Sequence, residues 1–148
     1  MTILANMSPA QKAEFLAAMG YQEGEFTPFI AAGGSQAGFT YSMQKGRFTK
    51  INRLVHVQVN IIMSARPSSA AIITMGGLPF LSSPDYTGMG GSTILNSVGS
   101  TVNGALSVNA GMNTANLIQY SNGVLTQLTA ADIMNNTQIF FNAMYETA

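Results

Sequence analysis

Few side chains in this sequence can do chemistry: one histidine, no cysteine, six acidic and six basic residues among 148. His56 sits inside an alternating apolar run. A general base there would need a nucleophile and an orienting acid, and only the distant Asp85 or Asp132 could serve as that acid. Its expected place is a surface or interface position on a strand. Glu23 and Glu25 flank Gly24 and would share one side of an extended segment. With Asp85 they could supply the opposed carboxylates of glycoside hydrolysis, whereas their simpler role is a solvated entry to the first strand. Gly88-Met89-Gly90-Gly91 lacks the Lys-Ser/Thr pair and helix of a phosphate cradle. No His pair, thiolate set or carboxylate-rich loop has metal-ligand spacing. The expectation is a protein that is not an enzyme and uses no cofactor or metal.

Only 8% of the residues are charged, where an ordinary soluble domain has roughly 25%. Net charge is zero, and 46 residues are Ser, Thr, Asn or Gln. Near-zero charge favours association, so a surface largely covered by other subunits is expected. The charges are also segregated. Lys45, Arg47, Lys50 and Arg53 crowd into nine positions, and nothing basic follows Arg66. Two readings stand for this cluster: a solvated edge that refuses foreign strands, or an electrostatic contact with an acidic neighbour. Nucleic acid is not an expected partner for a neutral chain with one small basic patch. The N-terminus lacks a basic, apolar leader pattern, and no apolar run approaches the roughly 20 residues of a membrane span.

The elements that must position these residues are mostly strands. One helix is legible: Ser8 and Gln11 have capping-box spacing, Pro9 suits the first turn, and Gly20 suits the stop. Phe15, Leu16 and Met19 give it a narrow apolar stripe in need of a partner. Val55, Val57, Val59, Ile61 and Met63 alternate with mostly polar residues, as in a strand buried on one face. Residues 39–44 and 47–51, joined by Lys45-Gly46, read as a hairpin. Asn103-Gly104 and Asn122-Gly123 read as type I′ hairpin turns, the second joining 115–120 to 124–128. A last strand over 137–145 places Ile139, Phe141, Ala143 and Tyr145 on one side, and 129–132 suggests a single helical turn. Residues 82–92 read as a long exposed loop. The ten methionines read mainly as gap fillers in the core.

Many short strands without crossover helices give an all-β fold: an antiparallel β-sandwich, jelly-roll-like, with one short N-terminal helix. The division expected is a helical arm at 1–24 and a sandwich domain at 25–148.

Phe26-Thr27-Pro28, Gly33-Gly34 and Tyr41-Ser42 lead into Gln44-Lys45-Gly46-Arg47-Phe48-Thr49-Lys50-Ile51. An alternating strand follows, then Gly77-Leu78-Pro79-Phe80, and finally Leu128-Thr129 and Asn136-Thr137. Over residues 25–148 this order resembles the C-terminal β-domain of tail fibres and accessory virion proteins of tailed bacteriophages. In the bottom-up reading Gly46 permits a tight turn, Phe48 and Ile51 plug the core, and Leu78 and Phe80 anchor a turn at Pro79. The resemblance implies a non-enzymatic virion component that forms oligomers, commonly trimers. Only some 24 residues precede the domain, which favours a compact capsid decoration or cement protein over a fibre. Its expected partners are itself, as a dimer or trimer, and a major capsid protein or other virion subunit. Its expected place is the outer surface of the particle, after synthesis in the host cytoplasm. Interface candidates are Phe15, Leu16, Met19, Lys45, Arg47, Lys50 and Arg53. The alternative is a receptor-binding tip of a tail or head fibre that takes a host glycan through Ser83, Asp85, Tyr86 and Met89.

Overall fold

The computed structural model describes residues 6–85, 88–97, 100–121 and 123–148, with side chains at all of these except 88–97, 100–103 and 121. The helix α1 (Pro9–Ala18) is followed by β1 (Tyr21–Phe26), β2 (Phe29–Ala32), β3 (Thr40–Ile51) and β4 (Leu54–Ala65). Then come β5 (Ile73–Gly76), β6 (Gly88–Ser97), β7 (Ser100–Val108), β8 (Ala115–Ser121), β9 (Val124–Gln127) and β10 (Gln138–Glu146). All strand pairings among the described residues are antiparallel, in the order β1-β3-β4-β10-β6-β7-β8-β5-β2, with β9 beside β8.

β1 and β2 stand at the two ends of that order, yet only Thr27 and Pro28 separate them in the chain. The path must therefore roll up until its two edges meet, giving the expected all-β, jelly-roll-like sandwich. Thr27-Pro28 is the corner where one extended run leaves the first layer for the second. Side chains close that corner. The Tyr41 hydroxyl on β3 donates to Ile30 O and accepts from Ile30 N on β2, while Gln44 Nε2 donates to Pro28 O.

The core follows the period of two. On β4, Val55, Val57, Val59, Ile61 and Met63 are buried; on β10, so are Ile139, Phe141, Ala143 and Tyr145. Opposite them lie Ile30, Ile73, Met75, Leu106 and Leu117. Burying an aliphatic side chain of this size stabilises by roughly 1.5–3 kcal/mol. Met63 and Met75 do fill the core, whereas Met112, Met134 and Met144 are exposed.

The helix is capped as its sequence indicates. Ser8 Oγ accepts from Gln11 N, Gln11 Oε1 accepts from Ser8 N, and Gly20 ends the run at φ 62°. The first strand begins at Tyr21, inside the segment expected to be a helical arm. Residues 129–132 form a turn in which Asp132 Oδ2 accepts from Thr129 N and Oγ1. At the other expected turn, Gly123 has φ 82° and Ser121 pairs with Val124; Asn122 lies outside the described residues.

Three expectations are corrected. Lys45-Gly46 is not a turn, because β3 runs unbroken through it and the hairpin closes at Asn52-Arg53, with Asn52 at φ 51°. Asn103-Gly104 lies within β7, where Gly104 pairs with Thr93 on one side and Gln119 on the other. With Asn103 paired to Ile94 and Gly104 laddered on both edges, the pair has no freedom to turn. Residues 82–92 are not one exposed loop, since β6 begins at Gly88 and Ser82 and Ser83 are buried. Ser82 N donates to Met112 O, Ser83 N donates to Glu146 O, and Ser82 Oγ bonds to Asn109 O, tying this segment across one end of the sandwich.

Candidate functional site

Strand alternation separates the basic cluster that the sequence presents as one patch. Lys45 and Arg47 face outward from β3, whereas Lys50 lies on the inner side, opposite buried Val55. Lys50 Nζ sits 5.4 Å from the centroid of Phe80, whose ring packs edge-on against Phe48 with centroids 5.1 Å apart. Its ammonium therefore covers an aromatic pair at the open end of the core. Arg47 Nε lies 3.4 Å from Glu25 Oε1. Arg53 donates from Nε to Thr147 O at 2.9 Å and reaches Glu146 at 4.0 Å. Such exposed pairs contribute about 0.2–1 kcal/mol each. Among the described residues, Lys45 alone of the four has neither a carboxylate nor an aromatic partner.

The helix candidates occupy a different surface. No residue of α1 is buried, and Phe15 and Leu16 are 39% and 37% exposed. Met19, at the C-cap, is half-buried. The helix end is fixed where Asn52 N donates to Gly20 O, beside the β3–β4 turn. There Tyr21 pairs with Ile51, and Ile51 with Leu54, in one outward-facing row. Ile51 was expected to plug the core but is 43% exposed, because alternation turns it outward once Phe48 and Val57 face in. Leu54 is 47% exposed, and Met144, diagonal to it on β10, is 58% exposed. On the outer sheet face, Ile51, Leu54 and Met144 are thus exposed apolar side chains set among Glu23, His56 and Glu146.

Two of the receptor-loop candidates, Ser83 and Asp85, have described side chains. Ser83 is buried, Asp85 is exposed with its N–H donating to Ser83 Oγ, and Met89 belongs to β6. Tyr86 lies outside the described residues. Leu78 is buried and Phe80 packs on the core, so the Gly77–Phe80 turn anchors as its sequence suggests. His56 is half-buried on the outer face of β4, between Thr49 and Met144. Glu23 accepts from the Tyr21 hydroxyl at 2.6 Å, which holds that phenol's pKa above its ordinary value. Glu25 is engaged by Arg47, and no hydrogen bond links either glutamate to Asp85 among the described residues. No group of three or more metal-ligating side chains occurs there, and no described helix is long and apolar enough to cross a membrane.

Sequence reasoning missed a trench on the outer face of β3, β4 and β10. Lys45, Asn60 and Phe140 form one cross-strand row; Arg47, Gln58 and Asn142 form the next. Between them the floor is the backbone of Gly46, Val59 and Phe141, whose side positions point inward. The cavity measures about 320 Å³. A second hollow, sharing Lys45, Gly46 and Arg47, extends it past the end of β1 to Glu25 and Thr27. Asn60 Oδ1 is buried and accepts no hydrogen bond among the described residues. Leaving such an acceptor unpaired costs roughly 1–3 kcal/mol. Only the polar residues on the outward positions of the strand, Gln58 and Asn60, signal it in the sequence; the pairing that lines them up with Phe140 is not readable there.

No protein-family model matches this chain, and no curated protein matches it either.

Proposed function

We propose that the chain is a non-enzymatic structural protein of a tailed-bacteriophage virion that decorates the outside of the capsid and cements neighbouring subunits. The phage setting rests on the resemblance of residues 25–148 to accessory virion domains. The observation that carries an assembly role is the exposure of apolar side chains on α1 and in the outer row of Ile51 and Leu54. A ten-residue helix is marginal in water unless something covers its apolar face, and here no residue of it is buried. On a chain with so little charge, exposed Phe15, Leu16, Ile51, Leu54 and Met144 have few charged neighbours to isolate them.

A second surface supports contact with several neighbours. The β8–β9 hairpin exposes Tyr120, Val124 and Leu125, and residues 115–127 contain no charge. Modest contacts of this kind add strongly when many copies sit on one shell, through effective concentration. The partners in this reading are a major capsid protein and further copies of the chain. Particles with and without the protein are to be compared under heat and osmotic shock, with its position mapped by a label. The reading expects lower resistance in the depleted particles and a label spread over the shell. Equal resistance, or a label confined to the tail tip, overturns it.

A further inference from the structure

We propose that β9 is the docking edge for a second copy of this chain, whose own β9 adds to it antiparallel across a two-fold axis. The pairing rests on the assembly reading and gives the β8–β9 hairpin its partner. Among the described residues, β1, β2 and β9 each pair with a single strand. Two of these edges are guarded. β1 carries Glu23 and Glu25, which a second β1 would meet with the same charge. On β2 the main chain of Ile30 is already engaged, its N–H and C=O both bonded to the Tyr41 hydroxyl. β9 has neither device: Val124, Leu125, Thr126 and Gln127 are all exposed, with no charge and no proline. No Asp, Glu, Lys, Arg or His occurs between Asp85 and Asp132.

The register follows from the hairpin. Leu128 N donates to Leu117 O, which makes these two residues a hydrogen-bonded pair. Alternation then turns the main chain of Val124 and Thr126 toward β8, and that of Leu125 and Gln127 toward the free edge. Two copies satisfy these groups when Leu125 of each lies opposite Gln127 of the other, exchanging both main-chain bonds at each pair. The axis then passes between Thr126 and its copy, a non-hydrogen-bonded pair with Cα atoms about 4.5 Å apart. A charge-free strand is complementary to itself in this way, and it carries nothing to select an acidic or basic foreign strand.

The test is sedimentation of the full chain, where a monomer–dimer equilibrium with Kd on the order of 100 μM or tighter is expected. Thr126→Lys sets like charges opposite each other and should weaken the dimer at least about tenfold, while unfolding as the parent does. The chain has no cysteine, so Thr126→Cys introduces a single thiol. Mild oxidation should link it to its copy. Leu125→Cys should link far more slowly, because its copies would stand about 7–8 Å apart on the diagonal. Phe15→Ser with Leu54→Glu should leave the dimer unchanged. A chain that stays monomeric up to about 1 mM overturns the pairing. So does a dimer that survives Thr126→Lys, that links equally fast through either cysteine, or that is lost with Phe15 and Leu54. A monomeric chain that still raises the heat resistance of depleted particles overturns the pairing alone and leaves the cement reading standing.

Discussion

Phe26 and Gly46 face each other across β1 and β3, and the phenyl ring fills the volume that a side chain on Gly46 would occupy. A Cβ placed there would lie 2.5 Å from the ring. The same relation recurs between Phe48 and Gly24 on the same two strands, and between Phe29 and Gly76 on β2 and β5. Each phenylalanine lies over a glycine directly opposite, so the ring covers a strand that offers no side chain of its own. Gly46→Ala should cost about 1–3 kcal/mol of unfolding free energy, because the ring must leave its place. Shrinking the ring with Phe26→Leu should make the double variant's loss smaller than the sum of the single losses. Strictly additive losses in denaturant unfolding would show that the ring and the glycine do not compete for space.

This relation also explains what the sequence could and could not convey. Period-two burial on β4 and β10 is a local property, so the odd residues from Val55 to Met63 and from Ile139 to Tyr145 announce themselves. Gly46 does not, because a glycine that admits a ring from another strand looks the same as one that permits a turn. Asn103-Gly104 misleads likewise, since only pairing with β6, and of Gly104 with β8, holds it extended. The basic cluster is visible as a composition, but its division by alternation depends on knowing that β3 is unbroken. The trench is less legible still, for its rows combine residues about 80 positions apart.

Tyr145 gives the fold a pH limit on the alkaline side. Burial pushes its phenol up to about 12 from an ordinary 10.0, partly opposed by its hydrogen bond to Phe80 O at 3.1 Å. Ionisation therefore costs the folded state more than the unfolded chain. The contribution is whole below pH 10 and is lost as pH rises toward 12, amounting to roughly 2 kcal/mol. Unfolding curves at intervals across that window should show the decline, and Tyr145→Phe should remove the part due to this residue. A parent and variant that decline in parallel would assign the alkaline loss elsewhere.

The helix and the sandwich should respond separately to Ser8→Ala. The capping box supplies both of its reciprocal bonds, yet α1 buries no residue. Losing the cap should weaken the helix by about 1 kcal/mol and speed its amide exchange. The sandwich should keep its melting temperature, because its core contains nothing from α1. A matching fall in that melting temperature would mean that the helix supports the domain rather than waiting for a partner.

Reversing charge and breaking the apolar row probe assembly in different ways. Lys50 is unsuitable for the first purpose, since Lys50→Glu would place a carboxylate over Phe80 and disturb the core opening. Lys45→Glu with Arg47→Glu confines the change to the outer face, removing the Arg47–Glu25 pair at a cost within about 1 kcal/mol. If the cluster meets an acidic neighbour, this double variant should bind depleted particles more weakly, and the difference should shrink as salt is raised. Leu54→Glu with Phe15→Ser instead removes apolar surface, so its loss of binding should persist at high salt. Both variants should unfold close to the parent, because the four side chains lie outside the core. Full particle binding by the apolar variant would exclude the helix and its neighbouring row as the docking surface, whatever the charge variant does.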